Sequence, residues 1–353
     1  MESGGAERVA SILCNEFVKM GNSTDLVLIS EKEKRSFYKI EDGVNLIPLL
    51  KNVNKKATFV TKIKELKKLF KNSEYDVVIS FLPNVNTCVN FALGQKRRFL
   101  HVVSERNNPL ADPKNRIRRF LKEMAFKKSD GIVCQTNIAH DYYQKKVKCP
   151  IKVIKNPVNV PDIIVKNDTT NSTIISVGRL ESQKNMDLLI RAFAVFNKNH
   201  PESKLVIYGS GSLFNALKEL IVSYKLEQSA YLCGNSNNWV LDNRNCALFI
   251  NTSLYEGMPN SLLEALTNGM PCIVSDCPSG GSKELLSNNN GLLFQNNNLD
   301  DLLCKMELLY KNNELIKMFR NNNEIIKAEY KAERIASSWI SFINSLREGK
   351  KDV

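Results

Sequence analysis

Short runs of apolar residues alternate with longer amphipathic segments along the whole chain. The apolar runs predict strands, and the segments between them have the spacing of helices with one apolar face. This alternation is typical of parallel α/β sheets. The predicted strands form two series, residues 24–29, 45–48, 76–80, 99–103, 131–134 and 151–154, followed by 173–177, 204–208, 230–233, 247–250 and 271–275.

A polar segment with two prolines, residues 156–172, separates the two series and predicts a linker. The chain is therefore expected to form two domains, residues 1–160 and 161–330, each long enough for its own core. A last amphipathic pattern over residues 332–346 predicts a long terminal helix.

Composition supports a globular protein. Of 353 residues, 43% are hydrophobic and 25% are charged, which is ordinary for folded domains. The sequence shows no signal peptide and no apolar run long enough to span a membrane, so it predicts a cytoplasmic protein. Three histidines and nine cysteines form no zinc-binding pattern, and the cysteines stand at positions 14, 88, 134, 149, 233, 246, 272, 277 and 304.

Charge is distributed unevenly. Residues 1–160 contain 30 Lys and Arg against 16 Asp and Glu, whereas residues 161–353 contain 20 against 21. Much of the basic excess falls in residues 55–71, 95–98 and 114–128, and the last of these segments predicts a basic amphipathic helix. Such a surface suits an anionic membrane leaflet, a diphosphate-linked lipid or nucleic acid. A solvated lysine-rich face is the alternative.

The most informative motif places two carboxylates eight positions apart, Glu256 and Glu264 in EGMPNSLLE. Gly257 and Pro259 indicate a turn, and the run from Asn260 predicts a short helix that ends near Gly269. The free N–H groups at the start of that helix can bind a phosphate. A phosphate between two carboxylates that accept hydroxyl groups would suit a sugar nucleotide.

Two further turns precede predicted helices. The strand 173–177 leads into Gly178, and Arg179 and Lys184 follow near the start of a helix over 185–199, which indicates a cationic site for an anion. At the start of the chain, Gly4 and Gly5 precede an amphipathic helix. The Gly178 turn, the Glu256 loop and residues 104–106 each follow a predicted strand, so they are expected to lie at the carboxyl ends of the sheets.

Together these motifs resemble glycosyltransferase family 4, whose members are retaining enzymes of the GT-B architecture. The resemblance covers nearly the whole chain and rests on GGAER, SERNNP, VGRLESQKN, YEGMPNSLLEA and NGMPCIVSD. It implies an α/β fold of two facing, doubly wound Rossmann-like domains with a cleft between them. It also implies that residues 331–353 pack back onto the first domain.

The activity implied is transfer of a hexose or N-acetylhexosamine from a UDP-sugar, with retention, to a glycan linked to polyprenyl diphosphate. Such reactions build surface polysaccharides such as O-antigen, lipopolysaccharide or capsule at the inner face of the membrane. By resemblance, Glu256 contacts the donor sugar and Glu264 holds the ribose, while Arg179 and Lys184 neutralise the diphosphate. Gly5 and Asn260 are also expected to bind the nucleotide sugar.

The resemblance is incomplete before the first glycine turn, where relatives have an apolar strand and this chain has only Met1, Glu2 and Ser3. Met1 is therefore expected to be an internal methionine of a longer natural chain. Otherwise the first sheet would lack a central strand.

Candidates for proton transfer follow the strand 99–103. Some relatives have a histidine where this chain has Arg106, which cannot act as a base at neutral pH, so Arg106 is expected to bind phosphate or acceptor in the catalytic site. Glu105 is either a base or a solvated or capping acid. His101 is expected to be a core residue and His140 an exposed one.

Other interpretations remain open at this point. The turn at residues 277–282 either contacts sugar or phosphate or is an ordinary connection. A sugar-nucleotide epimerase or hydrolase could share the two-domain plan, although the chain has few histidines for it. A non-catalytic basic module that binds nucleic acid is disfavoured, because the cations are not interleaved with aromatic residues.

The sequence contains no D-x-D motif that would hold a metal for the diphosphate. We therefore expect no metal cofactor, and we predict that activity survives excess EDTA because Arg179 and Lys184 supply the positive charge. Nucleotide release assayed with and without chelator checks this. Complete loss of activity, restored by manganese or magnesium, would contradict it.

Overall fold

The computed structural model describes residues 4–31, 33, 36–53, 57–94, 98–106, 109, 115–160, 172–243, 245–278 and 280–351. The chain divides into two compact units, Met1–Asn159 together with Tyr330–Val353, and Val160–Glu329. The middle of the predicted linker, residues 161–171, lies outside the described residues. Among the described residues, no helix is both long and apolar enough to cross a bilayer.

The first unit contains parallel strands flanked by helices. Its strands are β1 Thr24–Leu28, β2 Val44–Pro48, β3 Val77–Phe81, β4 Leu100–Ser104, β5 Gly131–Cys134 and β6 Ile151–Val153. Its helices are α1 Gly5–Lys19, α2 Phe59–Lys71, α3 Pro83–Leu93, α4 Arg116–Lys127 and α5 Asn137–Gln144, to which α13 Ala332–Lys351 is added from the end of the chain.

The strands of the first unit form two separate sheets in the described part of the chain. Strand β1 pairs with β2, and β3, β4, β5 and β6 form a second sheet in that order. All pairs are parallel. In a doubly wound sheet a central strand would join such pieces.

The second unit has one continuous parallel sheet in the order β12, β11, β10, β7, β8, β9. Its strands are β7 Thr173–Val177, β8 Lys204–Tyr208, β9 Ala230–Leu232, β10 Leu248–Asn251, β11 Cys272–Ser275 and β12 Leu292–Phe294. Its helices are α6 Met186–Asn199, α7 Phe214–Ser223, α8 Trp239–Asp242, α9 Asn260–Thr267, α10 Gly281–Leu285, α11 Leu299–Leu309 and α12 Asn313–Tyr330.

The predicted α/β class is confirmed, since each unit is a Rossmann-like stack of parallel strands and helices. Predicted strand bounds agree with the observed ones within a residue at each end. Strand β12 was not predicted, because its short run Leu292–Phe294 follows an asparagine cluster and looks like a loop.

The terminal helix α13 completes the core of the first unit. Trp339 is fully buried there with Val9 and Leu13 of α1 and Leu100 of β4. Its ring lies 6.0 Å from that of Phe81 at the end of β3. Helix α13 therefore contributes directly to the packing beneath the four-stranded sheet.

Replacing Trp339 with Ala should lower the free energy of unfolding by about 3–5 kcal/mol, the usual cost of emptying a buried aromatic site. Urea unfolding followed by circular dichroism measures it, with Ser337→Ala on the exposed face of the same helix as the control. A loss below about 1 kcal/mol would mean that α13 does not pack into this core.

Candidate functional site

The two motif loops of the second unit lie side by side at one edge of its sheet. Strands β7 and β10 are neighbours, and the chain winds outward from them in opposite directions. In open α/β sheets, ligands bind at the carboxyl ends of the strands where the winding reverses. The loops are joined there, since Leu254 N donates to the Gln183 carbonyl at 2.9 Å and Gln183 Nε2 donates to the Tyr255 carbonyl at 2.8 Å.

The loop after β7 is fixed by close backbone contact. A Cβ at Gly209 would lie 1.8 Å from the Gly178 carbonyl oxygen, and the φ of Gly209 is +147°, so only glycine fits. Glu181 accepts from the N–H and the hydroxyl of Ser212 at 2.9 and 2.8 Å. Both hydrogen bonds lower the pKa of Glu181, and the one from the Ser212 N–H has the larger effect.

Lys184 forms an ion pair with Glu256, which lies on the loop after β10. Lys184 Nζ contacts Glu256 Oε1, and the Ser253 hydroxyl donates to the same oxygen at 2.9 Å. The two side chains are only 13% and 12% exposed, so solvent screens their attraction less than at the surface. The stem of Lys184 passes over Gly178, where a Cβ would lie 2.8 Å from Lys184 Cε.

The turn before α10 supports the loop that carries Glu256. A Cβ at Gly281 would lie 1.6 Å from the Gly257 carbonyl oxygen, so the two backbones touch. Cys277 Sγ donates to the Ser253 carbonyl at 3.0 Å. Burial, and then the nearby Glu256 carboxylate, raise the pKa of Cys277 to about 12, so the thiol stays protonated. Ser279 lies outside the described residues, and contact of this turn with sugar or phosphate stays a prediction.

Glu264 lies inside α9, which begins at Asn260 after Pro259 as predicted. The Ser261 hydroxyl at the start of this helix donates to the Val177 carbonyl at the end of β7, at 3.2 Å. Glu264 is only 4% exposed, and its Oε2 accepts from Trp239 Nε1 at 3.2 Å. Trp239 could not be found from the sequence, because nothing local links an isolated tryptophan to a glutamate 25 residues later.

Arg179 does not join the ion pair. Its side chain is exposed, and its Nη2 donates to Gln183 Oε1 at 3.2 Å. Through Gln183 it is nevertheless connected to the backbone of the loop that carries Glu256. The structure therefore brings Lys184 and Glu256 together and leaves Arg179 at the rim.

In the first unit, Arg106 follows β4 and is held firmly. Its Nη1 donates to Asn156 Oδ1 at 2.6 Å, and its guanidinium carbon lies 4.7 Å from the centre of the Phe81 ring. Gln135, with its amide oriented to satisfy both ends, accepts from Nη1 and donates to the Arg106 carbonyl, each at 3.0 Å. Asn156, assigned to the linker from the sequence, is instead a buried part of this unit.

The remaining donors of Arg106, Nε and Nη2, are shielded from solvent and have no partner among the described residues. Burial lowers the pKa of Arg106 to about 9, which leaves it charged at neutral pH. A shielded cation with unused donors is a suitable contact for a phosphate. Asn107 and Asn108 of the same motif lie outside the described residues.

Glu105 was expected to be a base or a solvated or capping acid, and of these roles the solvated acid is wrong. Its carboxylate is buried, with Lys122 Nζ and Tyr143 Oη each 2.6 Å from Oε2, and Oε1 accepts from the Arg106 N–H at 3.0 Å. Burial raises the pKa of the Tyr143 hydroxyl, and the negative charge of Glu105 raises it further. A carboxylate committed to these bonds is a structural anchor next to Arg106.

His101, His140 and Gly5 are the remaining candidates from the sequence. His101 is a core residue, as expected, with Nε2 2.9 Å from the Ser80 hydroxyl. His140 is half-buried, whereas an exposed position was expected. Gly5 begins α1 after Gly4, whose carbonyl accepts from Tyr38 Oη at 3.1 Å, and its part in nucleotide binding stays a prediction. Among the described residues, no three His, Cys, Asp or Glu side chains group together as metal ligands do.

Two family models match the chain. The model of glycosyl transferases group 1 matches residues 162–325. The model of glycosyltransferase family 4 matches residues 3–161. Together they cover both units apart from the terminal helix and the ends.

One similar protein, from Campylobacter jejuni, is described as a GalNAc-alpha-(1->4)-GalNAc-alpha-(1->3)-diNAcBac-PP-undecaprenol alpha-1,4-N-acetyl-D-galactosaminyltransferase. It is 28% identical over 357 residues, which cover 98% of this chain and 97% of that protein.

Solved structures show the same fold. Sucrose-phosphate synthase from Thermosynechococcus elongatus superposes with a TM-score of 0.84 at 15% identity, over 98% of this chain and 94% of that one. HepE from Anabaena, solved with UDP-glucose, superposes with a TM-score of 0.78 at 15% identity, over 98% and 97%.

Because Lys184 and Glu256 form an ion pair, the effects of replacing them on the free energy of unfolding should not be additive. In a double-mutant cycle of Lys184→Met and Glu256→Gln, we expect a coupling free energy of about 0.5–3 kcal/mol, as for contacting groups that are shielded from water. Urea unfolding of the four proteins measures it.

The exposed pair Lys311 and Glu202, 58% and 46% exposed, provides the control cycle in the same unit. Its coupling should be smaller than that of the site pair, because solvent screens an exposed pair more strongly. Equal coupling in the two cycles would mean that the site pair is an ordinary surface contact.

Proposed function

Because the chain belongs to the GT-B glycosyltransferases of family 4, we propose that it transfers a hexose or N-acetylhexosamine from a UDP-sugar to a glycan acceptor on polyprenyl diphosphate. We propose further that the sugar keeps its anomeric configuration. Family membership favours glycosyl transfer over the epimerase, hydrolase and binding-module alternatives. The reaction would serve the synthesis of a surface polysaccharide such as O-antigen, lipopolysaccharide or capsule.

The observation that carries the proposal is the pairing of Lys184 with Glu256 where the winding of the second sheet reverses, with Glu264 on the helix that follows. Lys184 and the start of α9 suit the diphosphate of a nucleotide sugar, Glu256 suits its sugar, and Glu264 suits its ribose. The UDP-glucose bound by the similar HepE structure supports a UDP-sugar as donor.

Sugar transfer breaks the bond between the anomeric carbon and the diphosphate, so negative charge grows on the departing phosphate. Lys184, Arg179 and the first N–H groups of α9, at Asn260, would stabilise that charge. A bound diphosphate would compete with Glu256 for Lys184. The Glu256 carboxylate would then accept hydrogen bonds from hydroxyl groups of the donor sugar, and Glu264 would hold the ribose.

Retention is proposed to follow from attack on the same face that the diphosphate leaves, with the departing phosphate taking the acceptor proton. No side chain of the protein is assigned as the base, since Glu105 is committed to Lys122 and Tyr143. The proposed reaction needs no metal, because the cationic side chains and the helix end supply the charge.

The acceptor is proposed to meet Arg106. Its Nε and Nη2, which have no partner in the described part of the chain, suit an anionic oxygen, and a diphosphate on the acceptor lipid supplies one. The acceptor named for the similar protein from Campylobacter jejuni, a glycan on PP-undecaprenol, supports this choice.

The acceptor lipid also implies a membrane surface, and we propose the anionic inner leaflet, approached from the cytoplasm. Helix α4 exposes Ile117 and Phe120, 71% and 62% accessible, beside exposed Arg116 and Arg118. Apolar side chains between arginines suit insertion at a charged interface. This arrangement gives the basic segment 114–128 a defined surface, although Lys114 lies outside the described residues.

The two glutamates should fail in different ways. We expect Glu256→Gln to lower turnover by about a hundredfold or more, because its sugar contact tightens in the transition state. UDP affinity should not fall, because the diphosphate no longer competes with the Glu256 carboxylate for Lys184. Glu264→Gln should weaken binding of UDP and UDP-sugar, with a smaller effect on turnover at saturation. Steady-state kinetics with a panel of UDP-sugars and a lipid-linked acceptor, together with UDP titration, measures both.

Glu219→Gln on the exposed face of α7 is the matched control and should change neither quantity. The assignment would be contradicted by a Glu256→Gln enzyme that loses UDP affinity and keeps its turnover. No turnover with any UDP-sugar, but turnover with a GDP- or ADP-sugar, would contradict the proposed donor.

Charge reversal on α4 should release the protein from membranes. With Arg116, Arg118 and Arg119 replaced by Glu, we expect flotation with anionic liposomes to be lost and UDP affinity to be kept. Binding of the wild type should fall with salt, since exposed charges are screened over about 8 Å at physiological ionic strength.

The control reverses three exposed charges on the second unit, at Lys198, Lys218 and Lys225. If both triple variants float equally well, or if wild-type binding ignores salt, the basic face of α4 is only a solvated surface.

A further inference from the structure

Trp239 is a buried residue of the second unit that takes no direct part in the proposed sugar transfer. It begins α8, just after the polar stretch that follows β9, and is only 2% exposed. Tryptophan has a single donor, the indole N–H, and no acceptor. The N–H of this buried indole is directed at Glu264, a side chain with a proposed role in donor binding.

The indole is fixed on one side by the sheet. Its ring lies 5.7 Å from the ring of Phe249 on β10, with the planes tilted by 31°. The Trp239 carbonyl accepts from Asn243 Nδ2 at 2.7 Å, and the same amide donates to Tyr208 Oη at 2.9 Å. Phe249 of β10 therefore packs against the ring, and Asn243 links the backbone of Trp239 to Tyr208 of β8.

On its other side the indole meets Glu264. Trp239 Nε1 donates to Glu264 Oε2 at 3.2 Å, and both side chains are buried. A glutamate side chain has three rotatable bonds, and a buried carboxylate without donors would be costly. The indole N–H supplies one such donor and favours one rotamer of Glu264.

We infer that Trp239 is a positioning residue for the donor, which holds the Glu264 carboxylate in the orientation that accepts the ribose hydroxyls. This inference rests on the proposed ribose contact of Glu264. Trp239 itself is not assigned a contact with the nucleotide. Its effect is expected on nucleotide affinity and on the recognition of the ribose.

The test uses Trp239→Phe, which keeps an aromatic ring against Phe249 and removes the N–H. Trp339→Phe is the matched control, because Trp339 is equally buried and its Nε1 has no partner among the described residues. Calorimetric titration of the full chain with UDP and with 2′,3′-dideoxy-UDP gives the preference for ribose hydroxyls as a ratio of dissociation constants.

We expect Trp239→Phe to lower this ratio by about three- to tenfold, the scale of one hydrogen bond, by weakening UDP and not the dideoxy analogue. Trp339→Phe should leave the ratio unchanged, even if it lowers the melting temperature as much. An unchanged ratio in Trp239→Phe would overturn the inference, because a tryptophan that only fills space would affect both ligands alike.

Glu264→Gln separates this inference from the proposed function. If the wild type does not distinguish the two ligands, or if Glu264→Gln keeps the full ratio, the ribose contact of Glu264 fails and the inference fails with it. If Glu264→Gln loses the ratio and Trp239→Phe keeps it, the ribose contact stands and the positioning role alone is wrong.

A second measurement covers the case in which Trp239→Phe does not fold. The chain has two tryptophans, so Trp339→Phe leaves Trp239 as the single indole reporter. Saturating UDP should change its emission more than saturating dideoxy-UDP does, because only UDP engages the carboxylate that the indole contacts. Equal changes with both ligands would contradict the positioning role.

Discussion

The parallel pairing of β7 with β10 is the constraint on which the site depends. Leu248 pairs with Ile174, 74 positions earlier in the chain, and this pairing brings Lys184 to Glu256. The other contacts of the site keep the two loops that carry these side chains together. Gly209 allows the loop after β8 to touch Gly178, and Gly281 allows the start of α10 to touch Gly257. A side chain at either glycine would push one of the two motif loops away from the other.

The ion pair also gives the site its charge balance. A lysine and a glutamate that are both largely shielded neutralise each other, and neither is left buried with an unbalanced charge. An incoming diphosphate offers Lys184 a stronger partner with two negative phosphate groups. In the proposed function, donor binding therefore does two things through one exchange, because it neutralises the diphosphate and gives the sugar access to the Glu256 carboxylate.

Much of the fold was predictable because parallel strands buried on both sides read as short apolar runs. The turn after Glu256 and the helix that follows it were predictable as well, because neighbouring residues in the chain determine both. Contacts between distant segments were not. The pairing of Lys184 with Glu256, the contact of Trp239 with Glu264 and the place of Asn156 beside Arg106 depend on strand order and side-chain packing. Glu105 was misjudged because its partners Lys122 and Tyr143 come from two later helices.

A crystal structure of the complex with an intact UDP-sugar tests the central claim most directly, through the partner of Lys184 Nζ. We expect Lys184 to have left Glu256 for an oxygen of the diphosphate, and the Glu256 carboxylate to accept a hydrogen bond from the donor sugar. A nucleotide sugar bound away from the ends of β7 and β10, with Lys184 still paired to Glu256, would contradict the account.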